Sequence, residues 1–173
     1  MKMKVSAAIV LALVSHLAFA QQDSTTSSMD FLMLHANGSK TIPILKKRIA
    51  DDSLNIQNHL MLGYAYRALT LYDSAAIAFN TACKIDTTSS VAKQEFAGTL
   101  LSLGRITQSI RSYNEAIALD STNQYAKIEL ARLLKRENMF AKSRAIWEDL
   151  LKADSTNYFI WEQIGDCYYK DND

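Results

Sequence analysis

The sequence predicts an all-α solenoid of stacked helix–turn–helix units, and three observations carry that prediction. First, like residues return every 34 positions. Leu62-Gly63, Tyr66, Ala75, Phe79 and Ala82 are answered by Phe96-Ala97, Leu100, Ser109, Tyr113 and Ala116, then by Leu130-Ala131, Leu134, Ser143, Trp147 and Leu150. A fourth pass meets Trp161, Ile164, Gly165 and Tyr168. Second, the polar punctuation keeps the same beat, with Asp52, Asp86, Asp120 and Asp154 in one series and Asn55, Ser89, Asn123 and Asn157 in another. Third, one proline and five glycines in 173 residues leave long stretches free to be helical. A fixed period of this length marks a stacked array, in which each unit buries its apolar face on the next.

The first twenty residues stand apart. Lys2 and Lys4 precede a mostly apolar run from Val5 to Phe19, and Ala18-Phe19-Ala20 places small residues for cleavage. This is the pattern of a secretory signal, so export to a periplasmic or secreted location is expected. The apolar run, broken by Ser15-His16, is short against the roughly 20 residues a membrane span needs. No span is expected in the mature chain. Removing the segment leaves 17 basic against 18 acidic residues, so no global field favours nucleic acid. Cys83 and Cys167 fall in the first and fourth units, several helix layers apart, too far for a bridge, and are expected as core fillers.

Residues 21–55 lead into the array. Gln21 to Ser28 is polar, and Met29 to His35 is a short apolar run stopped by Asn37-Gly38. Thr41 is placed to cap a helix carrying Pro43 in its first turn, with Ile42, Leu45 and Ile49 on one face. The pair reads as a degenerate opening unit that screens the array's first face. Three full units follow at 56–89, 90–123 and 124–157, and 158–173 holds the first helix of a fourth. Asn55 caps the first helix of the array, and Gly104 and Asn138 suit the left-handed backbone that ends one. Small residues, Gly63 with Ala75, Ala97 with Ser109, and Ala131 with Ser143, let paired helices approach closely. Phe79, Tyr113 and Trp147 fill the space between units.

These residues resemble the tetratricopeptide repeat: an aromatic, Leu-Gly, Tyr, then Ala, Phe, Ala. The first and fourth units come nearest, through Leu62, Gly63, Tyr66, Ala75, Phe79 and Ala82, and through Trp161, Ile164, Gly165 and Tyr168. The chain departs from that pattern where His59, Lys93 and Lys127 replace the opening aromatic, and where Thr87, Ser121 and Ser155 replace the turn proline. The resemblance implies a right-handed superhelical fold with a concave groove, lined by the first helix of each unit, that takes a peptide or protein partner. By position the groove would be lined by Leu60, Tyr64 and Arg67, by Gln94 and Leu101, by Tyr125, Arg132, Lys135 and Arg136, and by Phe159, Glu162, Asp166 and Tyr169. Gln57, Val91, Gly98 and Ile128 would share that surface. Arg132 and Arg136 could hold a partner's carboxylates bidentately, or simply keep an exposed face solvated. The clamp by which some relatives grip a chaperone's C-terminal carboxylate has no counterpart, since Leu60, Tyr64, Glu95, Tyr125 and Glu129 occupy its positions.

Chemistry beyond binding is not expected. His35 and His59 are the only histidines past the signal, and no CxxC, HExxH, GxSxG or glycine-rich phosphate loop is present. The reading is a non-catalytic interaction scaffold of the envelope, with no cofactor, no metal and no nucleic-acid partner. The alternative is a structural or assembly module, either the front of a longer envelope protein or one that self-associates at its C-terminal end. Two readings fit that end, a fragment or a terminal cap, and both expect Ile160 and Cys167 on the outward side beside Trp161 and Ile164.

Overall fold

The computed structural model describes residues 39–171. The expected signal, polar lead and first short helix lie outside the described residues. All regular structure among the described residues is helical. Helix α1 covers 39–51, followed by α2 (Ile56–Ala68), α3 (Tyr72–Ile85), α4 (Ser90–Ser102), α5 (Ile106–Leu119), α6 (Gln124–Arg136), α7 (Phe140–Leu151) and α8 (Tyr158–Asp171). The first helices of the four units start at Ile56, Ser90, Gln124 and Tyr158, each one period after the last. No described helix is long and apolar enough to cross a membrane.

Local chemistry places these boundaries. The side chains of Asn55, Ser89, Asn123 and Asn157 accept from the backbone N–H three residues on, satisfying an orphan donor at each helix start. Ahead of them, Asp86, Asp120 and Asp154 each accept from the backbone N–H and the hydroxyl of the threonine two residues later, at 2.6–3.0 Å. Those bonds hold the turns that lack the family's proline, so the turns are braced and not softened. Within units, chain reversal uses a left-handed residue: Gly104 at φ 71°, Asn138 at 58° and Thr70 at 59°. Thr41 lies inside α1, which is already helical at Ser39, and so does not cap it.

The core runs as a continuous seam. Leu45, with Ile42 and Ile49 beside it, packs against Met61, Leu62, Ala65 and Ala78. Then Phe79 meets Leu60, Ala75, Ala82 and Ala92, Tyr113 meets Ala97, Leu130 and Leu134, and Trp147 meets Ala131, Leu150, Ile160 and Ile164. The close approaches are those that small residues permit. A Cβ on Gly63 would lie 2.6 Å from the Phe79 ring. In the next two units Ala97 and Ala131 take the slot of Gly63 and serines that of Ala75, and the hydroxyls of Ser109 and Ser143 donate to the carbonyls of Ala97 and Ala131 at 2.8 Å.

One expectation about the last helix is corrected. Ile160 and Cys167 do not face outward; with Ile164 they are buried against α7 and Trp147. Helical spacing is the reason: positions 160, 164 and 167 share one stripe, and Trp161, Gly165 and Tyr168 follow one residue later on the neighbouring, exposed stripe. The lysines at the missing aromatic slots also have a role. Lys93 and Lys127 reach across their units to Glu115 and Asp149, each at 2.6 Å, so an ion pair ties the two helices where an aromatic would have packed. Cys83 and Cys167 are both free and buried, and burial pushes the Cys83 thiol up to about 11.

Candidate functional site: the concave face

The face expected to be concave is the one presented by α2, α4, α6 and α8, and its chemistry follows from which side chains their helical period turns toward it. At its first end Tyr64 stands edge-on to Phe79, with ring centroids 5.3 Å apart. The Arg67 guanidinium lies 5.1 Å over the Tyr64 ring and pairs with Glu95 of the next unit at 2.6 Å. Glu95 also accepts from Gln94 at 3.0 Å. Burial, and then the Glu95 carboxylate, push the Tyr64 hydroxyl well above its ordinary value, so it remains a donor at any physiological pH.

In the middle, Gly98 has no side chain, and a Cβ there would meet the Tyr113 hydroxyl at 3.3 Å. That tyrosine comes from α5 and is almost wholly buried. Its hydroxyl is raised first by burial and then by Glu129. Tyr125 stands exposed on the far side, its own hydroxyl raised by burial and by Glu129 and Glu95. Farther along, Arg132 pairs with Glu129 at 2.8 Å and lies 5.7 Å over the Phe159 ring, which in turn meets Trp147 edge-on. Lys135 reaches into the fourth unit, to Gln163 at 2.6 Å and Asp166 at 2.9 Å. The Lys135 hydrogen bond holds the Asp166 carboxyl below its usual range.

The structure therefore sorts the expected groove residues. Tyr64, Arg67 and Gln94 come together around Glu95, Arg132 with Phe159, and Lys135 with Asp166, while Tyr125 stands exposed. Leu101 is half-buried against the core of the second and third units. Leu60 is corrected: it is buried beside Phe79 and packs beneath the surface. Arg132 and Arg136 are not a free fork for carboxylates, since Glu129 and Glu137 already engage them. Glu162 and Tyr169 sit at the border, on the exposed side of α8. Sequence reading placed Glu95 and Glu129 at the positions of the absent clamp without seeing that they pair with Arg67 and Arg132, and it passed over Tyr113 as a groove residue. The signal for the two glutamates was present, each being spaced 28 or 3 residues from an arginine. Nothing in the sequence turned Tyr113 toward this face.

A sequence model of the tetratricopeptide repeat matches residues 56–88 and 92–123. The matches fall on the first two full units of the array. No curated protein matches the sequence. Among solved structures, the array superposes on MamA with a TM-score of 0.73 at 20% identity, covering 79% of this chain and 80% of that one. It superposes on YrrB, described as "a TPR protein with an unusual peptide-binding site", with a TM-score of 0.69 at 17% identity, over 84% and 76% of the two chains. For pilF of Pseudomonas aeruginosa the values are 0.73 and 15%, over 86% and 68%. The likeness at these identities is one of fold: a right-handed tetratricopeptide-repeat solenoid that runs on past the two matched units through α8.

Proposed function

We propose that this protein is an exported, non-catalytic scaffold whose concave face holds a segment of a partner protein. The observation that carries the reading is the pair of exposed rings on that face, Tyr125 and Phe159, with the half-buried Tyr64 and the bare backbone of Gly98 beside them. Exposed aromatic surface of this kind is what the anchor residue of a partner packs against. The charges refine the partner. Arg67, Arg132 and Lys135 are each matched by a carboxylate within the array, so the fitting segment is near neutral and brings an apolar or aromatic side chain to Gly98. Affinity should then depend only weakly on salt. A solenoid neighbour described as having a peptide-binding site, YrrB, supports this use of the fold, and the first twenty residues support export.

The test is capture from an envelope fraction with wild type, a groove variant (Tyr125→Ala with Gly98→Gln) and an outer-face control (Ile77→Ser), all checked for equal helicity. A protein retained by wild type and control but lost by the groove variant supports the reading. Equal retention by all three refutes it. Export is checked by N-terminal sequencing of the mature protein, which should begin at Gln21.

A further inference from the structure

We propose that the groove between α5 and α7 docks an acidic amphipathic helix of a partner protein. The groove opens on the side of the array formed by the second helices, and both its walls belong to complete units. Ile110 of α5 and Ile146 of α7 form its apolar walls, Leu134 of α6 its floor, and Thr107, Met139 and Lys142 its exposed rim. Its volume is about 500 Å³, against about 250 Å³ for the groove between α3 and α5 and about 290 Å³ for that between α1 and α3.

Departures from the repeat open it. Between α3 and α5, Phe96 stands in the groove and Arg105 pairs with Asp73 across it at 3.6 Å. One period on, the same slots hold Leu130, Met139 and Thr107. Leu130 is smaller than Phe96 and is sunk in the core. Met139 and Thr107 carry no charges with which to close the mouth. Met139 is 40% exposed, and its flexible thioether can shape itself to an incoming side chain. The α5 wall runs from Thr107 to Asn114, about 10 Å at 1.5 Å per residue. That is room for about two turns of a docked helix whose apolar residues are spaced three and four apart.

Charge selects the partner. Among the described residues from 53 to 171, Lys84, Arg111 and Lys142 make no ion pair, while every other lysine and arginine is matched by a carboxylate. Two of these three flank the groove. Lys142 stands on its rim, and Arg111 follows Ile110 on the exposed side of α5. Nearby carboxylates do not cancel them, since Lys93 holds Glu115, Lys127 holds Asp149 and Arg144 reaches Glu148. An apolar trough with an uncompensated cation on each wall calls for leucine-like side chains flanked by glutamate or aspartate. The face of α2, α4, α6 and α8, whose cations are already engaged, would take a different segment.

Fluorescence anisotropy with a labelled synthetic helix tests the proposal. The probe carries leucines three and four residues apart on one face with glutamates on either side, and a control peptide has lysines for the glutamates. The glutamate peptide should bind saturably and the lysine peptide should not. Lys142→Glu should weaken binding about tenfold or more. Thr107→Asp combined with Met139→Arg transplants the Asp73–Arg105 bridge to the rim of this groove; it should abolish binding while keeping the helicity and melting temperature of wild type. The variant Tyr125→Ala with Gly98→Gln should bind the peptide like wild type, which separates this surface from the one proposed above. No saturable binding, equal binding of both peptides, binding undiminished by the transplanted bridge, or binding lost in the Tyr125 and Gly98 variant would each overturn the proposal.

Discussion

The same substitution, glycine to alanine, should have opposite effects at two equivalent positions of the repeat. At Gly63 the new methyl would sit 2.6 Å from two atoms of the Phe79 ring and 2.8 Å from a third, about 1 Å inside ordinary carbon–carbon contact. The ring cannot simply step aside. Phe79 is fully buried, edge-stacked on Tyr64 and covered by Arg67. Overpacking of this kind costs about 1–3 kcal/mol, set against a helix-propensity gain of about 1 kcal/mol. The balance is a loss of up to about 2 kcal/mol, which lowers the melting temperature by several degrees. At Gly165 the methyl meets open space, so only the gain of about 0.5–1 kcal/mol remains. The assay is thermal and urea unfolding of both variants in dilute solution, with hydrogen exchange to locate the change in α2 and α3 or in α8. A Gly63→Ala protein more stable than wild type, or a Gly165→Ala protein less stable, would refute the reasoning.

Two further outcomes follow from the turns. Thr70 holds φ 59° where Gly104 and Asn138 serve the other units, and a β-branched residue there is strained by about 1–2 kcal/mol. Thr70→Asn should raise stability by roughly 0.5–1 kcal/mol, read as a higher urea midpoint. Asp86, Asp120 and Asp154 ionise more readily in the fold, chiefly because a threonine hydroxyl donates to each carboxylate. The stability they add is complete above the ordinary aspartate pKa of about 3.9 and is lost as the pH falls through their lower folded values. A variant with alanine at all three should show a flatter loss of stability on acidification; an unchanged acid limb would count against the turn bonds.

Much of this was legible in the sequence because a repeat states its packing several times. The 34-residue period, the caps at Asn55, Ser89 and Asn123, the left-handed turns at Gly104 and Asn138, and the filling roles of Phe79, Tyr113 and Trp147 all depend on local chemistry or on the helical period. Neither needs knowledge of the partner element. The candidate groove was legible as a set of positions but not as a surface. Leu60 and Tyr64 are four residues apart on one helix, yet one is buried and the other half-open, because Phe79 and α4 close over the first. The pairing of the charges was not legible for a similar reason: Glu129 and Asp166, the partners of Arg132 and Lys135, sit one turn or one unit away.

The sequence by itself determined that this is an array of paired helices, where the first helix of each unit starts, and which residues are small and which large where paired helices meet. Those properties live in hydrogen bonds and volumes that act within a few residues or repeat at a fixed offset. Tertiary structure alone decided which face of each helix remained uncovered. It turned Ile160 and Cys167 inward and left Trp161, Gly165 and Tyr168 outward, a difference of one residue on a helix. Which of two adjacent stripes is buried depends on how α8 leans on α7 and Trp147, and that lean is set by the packing of the whole stack.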